Sequence, residues 1–381
     1  MVSAVRTLRP TIEPVLIGVD ASRVTRSRRT GTENYSLHVL RELLRQDTRN
    51  RYRLYLRVPL PDTLLPQSPR TETRVIRLPR LWTHFGLSRE MLVAPPDVLF
   101  VPSHVLPIFR PSRSVVVVYD VGHRFFPRAH RVGEWLYVEW AIRRHVRVAN
   151  ALITISEASK SDLVRLYRAD PERIAVAYPA VDECFRPQGR AEIERARAKY
   201  GLPERYVLHV GTVKPRKNLP RLVRAFATAG LPPDTFLVLA GGIGSGAAGL
   251  NRAVVESNIG ERVRLLSYVD EVDLPGLYSG AACVAVPSLH EGFGMPALEA
   301  LACGAPVVAS GRSSLPEFLG EAGVLVDPLD ISSIAAGLRR VVADSRLADD
   351  LRAAGPSRAE QFTWEQTGRV TLDVLEQVGR I

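Results

Sequence analysis

Residues 287–304 read PSLHEGFGMPALEALACG, and a continuous apolar run, residues 281–286, precedes them. The run predicts a buried strand, and the polar residues after it predict a loop. Pro296 and Gly304 predict the first turn and the end of a short helix, because proline suits a helix start and glycine the position past its end. A helix N-terminus carries unpaired amides and about half a positive charge. The layout of strand, loop and helix therefore predicts an anion site.

Two glutamates stand in this segment, Glu291 in the loop and Glu299 in the helix. Carboxylates repel phosphate, so the hydroxyl groups of a sugar or ribose are their more plausible partners. Gly292 and Gly294 flank Phe293, and residues without a Cβ let a ligand approach the backbone closely. A surface loop with a solvated glutamate and a capped helix is the alternative interpretation.

A second segment has the same layout: residues 207–219 read VLHVGTVKPRKNL. Gly211 ends the strand, and Lys214, Arg216 and Lys217 precede the helix. The chain has only four lysines among 51 basic residues, and two of the four lie here. A lysine suits a point contact with phosphate, and bases at a helix start need an anion to compensate the helix dipole. The segment predicts a phosphate site, with a solvated basic turn as the alternative.

The chain has 381 residues, of which 46% are hydrophobic. This length exceeds the usual size of one domain and therefore favours two. No apolar run approaches the length that crosses a bilayer, and the first ten residues lack the apolar core of a signal peptide. Cys184, Cys283 and Cys303 have neither disulfide nor metal spacing. We therefore expect a cytoplasmic protein.

The charge is unevenly distributed along the chain. Residues 1–190 hold 31 Lys and Arg against 18 Asp and Glu, whereas the remainder is close to neutral. A basic half predicts an anionic partner such as a membrane surface, a lipid phosphate or nucleic acid. An arginine-rich composition without a target is the alternative.

Strands and helices alternate in both halves, which predicts an α/β protein with two doubly wound parallel sheets. Ligands of such sheets bind outside the carboxyl ends of the strands, so the cleft between the two sheets is the expected site. The tail is predicted to be helical, with breaks near Gly355-Pro356 and Thr363-Trp364. The expected strands cover residues 15–19, 52–56, 74–78, 97–101, 114–119, 151–155, 174–177, 206–210, 236–240, 263–266, 283–286, 306–309 and 323–326.

Two weaker motifs lie in the second half. Residues 244–249 match the G-x-G-x-x-G dinucleotide pattern, with Asp270 about 20 residues later, and we interpret this as a chance match. Asp270, Glu271 and Asp273 resemble a metal-binding cluster, but they also precede an expected helix, so capping is the favoured role.

The segment EGFGMPALE, residues 291–299, resembles the signature of glycosyltransferase family 4, whose members are retaining enzymes of the GT-B fold. GTVKPRKNL, residues 211–219, resembles the phosphate-binding segment of that family. Further similar segments are RTGTENY, ANALITISEASKSDL, YSGAACVAVPS and SSLPEFLGEAGVLVDP. The resemblance spans nearly the whole chain and is greatest to bacterial mannosyltransferase-like members in polysaccharide or glycolipid assembly.

The resemblance implies two Rossmann-like domains that face a cleft. Residues 1–185 would form an N-terminal acceptor-binding domain, 186–204 a linker, and 205–360 a C-terminal domain that binds the nucleotide sugar. Residues 361–381 would form a helix that crosses back to the N-terminal domain.

The resemblance also implies roles for single residues. Arg216 and Lys217 would bind the donor diphosphate, Glu291 the donor sugar, and Glu299 the ribose. The other donor-binding residues would be Gly31, Gly211, Tyr268, Val269, Phe293, Gly294 and Met295.

One position departs from the family pattern. Members of this subgroup commonly carry His-Asp after the fifth strand, whereas this chain has Tyr119-Asp120, with His123 three residues later. We interpret Asp120 and His123 as acceptor-side catalytic groups. No nucleophile is evident, so front-face transfer is expected, with the donor phosphate accepting the hydroxyl proton.

The expected activity is retaining transfer of a hexose, with mannose favoured, from a nucleotide-diphosphate sugar to a lipid-linked or saccharide acceptor. GDP-mannose is favoured over UDP-hexoses. We expect no metal, no other cofactor and no nucleic acid partner, and peripheral contact with an anionic membrane. The alternatives are a UDP-dependent glucosyl- or N-acetylglucosaminyltransferase, a GT-B epimerase or phosphorylase, a non-catalytic nucleotide-sugar-binding module and, last, a dinucleotide oxidoreductase.

Overall fold

The computed structural model describes residues 13–26, 31–103 and 105–380. In this part of the chain the strands are β1 Leu16–Asp20, β2 Arg51–Leu56, β3 Thr71–Val75, β4 Val98–Val101, β5 Ser114–Val117, β6 Ala151–Thr154, β7 Ile174–Val176, β8 Arg205–Val210, β9 Thr235–Ala240, β10 Val263–Leu266, β11 Cys283–Val286, β12 Val307–Ser310 and β13 Val324–Val326.

The α-helices of the described residues are α1 Gly31–Gln46, α2 Ser88–Val93, α3 Gly122–Phe125, α4 Val132–Val148, α5 Glu157–Tyr167, α6 Arg190–Lys199, α7 Leu219–Thr228, α8 Ala247–Glu256, α9 Leu274–Ser279, α10 Met295–Ala302, α11 Leu315–Leu319, α12 Ile331–Ala343, α13 Ser345–Ala359 and α14 Trp364–Arg380. A π-helical turn, Trp82–Leu87, leads into α2, and short 3₁₀ turns lie between other elements.

The strands form two sheets. The first has the order β3-β2-β1-β4-β5-β6-β7 and the second the order β10-β9-β8-β11-β12-β13. Neighbouring strands run parallel, for example β1 with β2 and β4, and β8 with β9 and β11. The prediction of an α/β fold with two doubly wound parallel sheets is therefore confirmed. In the second sheet the strand order reverses between β8 and β11, and ligands of such sheets bind at this switch point.

The central strands form because they are apolar on both faces. Every residue of β4, β5, β11 and β12 is buried, as expected for strands covered on both sides by helices. The edge strand β3 lacks this signal, because three of its five residues are exposed. The strand predicted at 74–78 is therefore misplaced along the chain. The observed strand β3 begins three residues earlier, where Thr71 pairs with Tyr52.

The helical tail differs from the prediction in two places. One is a break that was not predicted, at Asp344 between α12 and α13. No break occurs near Gly355-Pro356, since α13 continues through both residues to Ala359. A Cβ on Gly355 would lie 2.8 Å from the carbonyl oxygen of Leu301, so glycine lets α13 pack directly on the backbone of α10. Leu351, Gly355 and Ala359 bury one stripe of α13, and this packing outweighs the unfavourable proline. The predicted break before Trp364 is present, where α14 begins.

Tertiary contacts divide the described chain into two compact units. The first comprises residues 13–117, 147–152 and 368–380, with the gaps given above, and the second comprises 118–146 and 153–367. Within the first unit, Glu376 of α14 pairs with Arg49, which lies in the loop between α1 and β2. The segment 186–204 contains α6, and the domain boundaries drawn from the sequence stay a prediction. Among the described residues, no helix combines the length and the apolar character needed to cross a bilayer.

Candidate active site

Two loops meet at the switch point of the second sheet, one after β8 and one after β11. The backbone amide of Leu289 donates to the carbonyl oxygen of Arg216 at 2.7 Å, which joins the two loops directly. Asn218 is buried in the left-handed region, with a φ of 60°, and its amide donates to the carbonyl oxygens of Pro287 and Pro328. Asn218 thus fixes the basic turn against the glutamate loop. Sequence reasoning missed this residue, although asparagine at a helix start is a signal for such a turn.

The junction brings the predicted residues Arg216, Lys217 and Glu291 together. Lys217 Nζ lies 2.6 Å from Glu291 Oε1, and the Arg216 guanidinium pairs with the other carboxylate oxygen. Ser288 Oγ donates to Glu291 Oε1 at 2.6 Å. The side chains of Glu291 and Lys217 are only 5% and 7% exposed, so this is a buried ion-pair cluster.

The cluster holds its carboxylate ionised. Burial alone would raise the pKa of Glu291, but the charges of Lys217 and Arg216 outweigh it and lower this pKa to about 2. Burial lowers the pKa of Lys217, against the opposing effect of Glu291. With all three groups charged, two cations face one anion. The excess positive charge at the ends of two strands suits an anionic ligand.

The GFGM segment, residues 292–295, is closely packed, and its first three residues are buried. A Cβ on Gly292 would lie 2.9 Å from the carbonyl oxygen of Tyr119, and Gly294 has a φ of 112°, so both positions require glycine. Phe293 is 2% exposed and its ring stacks on Phe318 at 4.6 Å. The ring of Phe293 is therefore part of the packing and is not exposed to a ligand. The helix α10 starts at Met295, one residue before the expected Pro296.

Glu299 lies on α10, where it accepts a hydrogen bond from the Tyr278 hydroxyl at 2.8 Å. Burial, with Glu271 and Asp182 nearby, raises the pKa of Glu299 to about 7. The two predicted base contacts differ in exposure, since Tyr268 is 70% exposed and Val269 only 8%. Their roles stay predictions.

The predicted glycines have different surroundings. Gly211 has a φ of 146°, and a Cβ there would lie 3.3 Å from Cε of Lys217, so glycine makes room for the buried lysine. Gly31 is exposed and begins α1 in the first unit. Residues 27–30, which include part of the RTGTENY segment, lie outside the described residues, and the donor role of Gly31 stays a prediction.

Asp120 and His123, the residues predicted for the acceptor side, line a cavity of about 350 Å³. Lys214, Arg216 and Ser245 line the same cavity. Asp120 Oδ1 accepts the backbone N–H of Gly122 at 2.7 Å, which fixes the turn into α3. The structure therefore brings both acceptor-side candidates to the arginine of the basic turn.

The G-x-G-x-x-G match has a steric explanation that the sequence did not supply. A Cβ on Gly244 would lie 2.6 Å from the carbonyl oxygen of Val213, and one on Gly246 would lie 3.1 Å from the carbonyl carbon of Lys214. These glycines let the loop after β9 pack on the basic turn. A second cavity of about 540 Å³ opens beside this contact and is lined by Lys214, Arg221 and Gly246 among others.

The acidic cluster at 270–273 does not cap a helix with its side chains, so the favoured interpretation was wrong. Asp273 stands at the N-cap of α9, but its carboxylate makes no capping bond. It is fully buried and accepts from Lys199 at 2.5 Å and Arg195 at 2.9 Å. Ion pairs to α6 outcompete the local amides because a charged donor forms the stronger hydrogen bond. In the described parts of the chain, no three His, Cys, Asp or Glu residues are grouped as metal ligands would be.

Comparison with known proteins gives the context for this site. Residues 192–358 match the family described as glycosyl transferases group 1. The chain is 34% identical over 280 residues to the O-antigen chain mannosyltransferase B of Escherichia coli, covering 72% of this chain and 73% of that protein. It is 35% identical over 279 residues to a D-inositol 3-phosphate glycosyltransferase of a Nocardioides species, covering 66% of this chain but only 57% of that relative.

Solved structures share the fold across almost the whole chain. Sucrose-phosphate synthase from Thermosynechococcus elongatus has a TM-score of 0.73 at 23% identity, with 96% of this chain and 99% of that chain covered. WaaG, a glycosyltransferase involved in lipopolysaccharide biosynthesis, has a TM-score of 0.70 at 16% identity, with 95% and 99% covered. The family resemblance seen in the sequence is thus confirmed: the chain has the GT-B fold and belongs to the group 1 glycosyl transferases.

Proposed function

We propose that this glycosyltransferase moves a hexose, with mannose favoured, from a nucleotide-diphosphate sugar to a lipid-linked or saccharide acceptor, with retention at the anomeric carbon. The observation that carries the proposal is the buried cluster of Glu291, Arg216 and Lys217 beside the cavity of Asp120. Two cations and one carboxylate give this cluster an excess positive charge, which suits a diphosphate. Similarity to an O-antigen chain mannosyltransferase supports the choice of mannose.

The cluster supports a reaction in which side chains offset the charge of the leaving group. The bond between the anomeric carbon and the diphosphate oxygen breaks, and the acceptor hydroxyl forms its new bond on the same face. The hydroxyl proton passes to the leaving phosphate oxygen. Arg216, Lys217 and the backbone amides of residues 292–295 stabilise the developing negative charge. Glu291 and Glu299 accept hydrogen bonds from hydroxyl groups of the sugar and the ribose.

We expect GDP-mannose to be the preferred donor and EDTA to leave turnover unchanged, because protein cations fill the role that a divalent ion would have. The measurement is sugar transfer and thermal stabilisation across GDP- and UDP-sugars, with and without EDTA. Greater stabilisation and transfer by UDP-sugars would favour the UDP-dependent alternative. Donor conversion without any acceptor would indicate an epimerase, and donor binding without turnover a binding module.

The acceptor side of the proposal includes an anionic membrane, at the cytoplasmic face. In the first unit, the exposed surface of residues 78–93, named here the 78–93 surface, combines apolar and basic side chains. Leu81, Phe85, Leu92 and Val93 are between 61% and 69% exposed. Exposed arginines on and beside it are Arg77, Arg80 and Arg89. Apolar side chains beside arginines suit the interface of an anionic bilayer.

Sedimentation with lipid vesicles tests this surface. We expect binding to vesicles that contain phosphatidylglycerol, weaker binding at high salt, and little binding to neutral phosphatidylcholine. Phe85→Asp combined with Leu92→Asp should weaken binding at least about tenfold, since each buried apolar side chain contributes about 1.5–3 kcal/mol. Val58→Asp, at a 50% exposed valine outside the surface, is the matched control. Equal binding to neutral and anionic vesicles would contradict the proposal.

A further inference from the structure

One ring nitrogen of His123 contacts both a carboxylate and a phenol. Its Nε2 lies 3.0 Å from Glu139 Oε2 on α4 and 3.1 Å from the hydroxyl of Tyr167 on α5. The Tyr167 hydroxyl also donates to Glu139 Oε2, at 2.7 Å. The side chains of His123 and Glu139 are only 4% and 8% exposed. Three elements of the second unit therefore meet in one buried polar cluster.

These contacts assign the tautomer of the imidazole. Burial alone would raise the pKa of Glu139, but the hydrogen bonds from Tyr167 and His123 and the charge of Arg124 lower it, so Glu139 is ionised and only accepts. Nε2 must then carry the proton and donate it to Glu139. Nδ1 is left as the unprotonated nitrogen. Across the described residues it has no hydrogen-bond partner, while His123 lines the cavity shared with Asp120 and Arg216.

We propose that Glu139 and Tyr167 are positioning residues that hold His123 with Nδ1 toward this cavity, where it accepts a hydrogen bond from an acceptor hydroxyl adjacent to the attacking one. The inference rests on the proposed function, since it names how that acceptor is held. It also gives a physical reason for the departure Tyr119-Asp120: a side chain from α3 brings an imidazole to the cavity without a histidine directly before Asp120.

The charges around His123 determine the sign of its pH dependence. Burial lowers the pKa of His123 below 6.5, and Glu139 and Asp120 oppose this shift while His130 adds to it. Further ionisable neighbours are Arg124, Arg143 and Tyr167, which contact Glu139, and Glu134, Lys214 and Arg216, which line the same cavity. Because protonated Nδ1 cannot accept, transfer should fall as the pH falls through the pKa of His123. Removing the Glu139 charge destabilises the imidazolium, so this acid limb should move to lower pH.

The experiment measures kcat/KM for the acceptor against pH at saturating donor. Saturation with donor separates the titration of His123 from that of Glu299, which is proposed to bind the donor ribose. His123→Ala should lower kcat/KM about a hundredfold, because it removes the acceptor of this hydrogen bond. His123→Asn, whose amide oxygen can replace Nδ1, should retain part of the activity and lose the acid limb. Glu139→Gln should lower kcat/KM by more than about tenfold and shift the acid limb to lower pH.

The control is Glu172→Gln, at an exposed glutamate beyond α5, which should leave both the rate and the profile unchanged. An acid limb that stays in place in Glu139→Gln, or normal transfer by His123→Ala, would overturn the inference while the proposed function stands. If the native protein transfers no sugar, the proposed function fails instead. ¹⁵N NMR of the imidazole then decides the inference without turnover: an Nδ1-protonated tautomer in the native protein would refute it.

Discussion

A Glu291→Gln enzyme is expected to transfer sugar at least about a hundredfold more slowly than the native enzyme, with kcat lowered at saturating donor. The native carboxylate contacts Lys217 Nζ at 2.6 Å and the Arg216 guanidinium. An amide of the same shape removes the negative charge and one acceptor. The two cations then repel each other without compensation, and the sugar loses the carboxylate proposed to orient it.

The same substitution should also lower the free energy of unfolding by about 3 kcal/mol, because it leaves a buried lysine without its partner. The Arg216 side chain is 31% exposed, so water compensates part of the ion pair that it loses. The lowered pKa of Glu291 fixes the sign of the pH effect. Its stabilisation is fully present above about pH 4.5, is lost as the pH falls toward 2, and should be missing from the variant.

Urea unfolding and steady-state kinetics measure the two effects separately. Glu321→Gln, at an exposed glutamate on the same unit, is the matched control and should change neither quantity. Native turnover by Glu291→Gln would refute the role assigned to the cluster.

Lys217→Met is expected to weaken binding of GDP at least about thirtyfold, as removal of one partner of a desolvated charge pair typically does. Methionine fills much of the lysine volume, so packing against Gly211 is largely kept. Without Lys217, Glu291 forms an ion pair with Arg216 alone, so the cluster loses its excess positive charge. The pKa of Glu291 should rise from about 2 for the same reason.

Titration calorimetry with GDP in the presence of EDTA measures this loss. Arg346→Met removes a positive charge from an exposed position on α13 and should bind GDP as the native protein does. Unchanged affinity in Lys217→Met would mean that the diphosphate binds elsewhere.

Local signals explain why most of the fold could be predicted. The strand at 283–286 lies where it was expected, because a short apolar run that ends at a proline is visible in the sequence. The continuous helix through Pro356 could not be predicted, since what stabilises it is the backbone of Leu301, far away in sequence. The edge strand β3 was misplaced because it has no buried face to mark it.

The candidate site shows the same division. The sequence placed a glutamate loop and a basic turn after two strands, which follows from residue types and turn chemistry alone. That these strands are neighbours, β8 beside β11, is a matter of long-range pairing. Because these strands are adjacent, Glu291 pairs with Lys217 and Arg216. The sequence had instead suggested that the glutamate binds a sugar and the two bases bind a diphosphate. Likewise, no residue near His123 in the sequence predicts its contacts with Glu139 and Tyr167. These two residues lie on α4 and α5, and only the packing of these helices brings them to His123.

What the sequence determined by itself was the class of each element and the chemical groups that follow each strand, because hydrophobic period, proline, glycine and charge act over a few residues. Only the tertiary structure decided which groups share a buried environment. Burial in turn sets the pKa of Glu291 near 2 and that of Glu299 near 7, so two carboxylates eight positions apart acquire opposite character. The reason is physical: desolvation and ion pairing depend on neighbours in space, and strand order rather than spacing along the chain selects those neighbours.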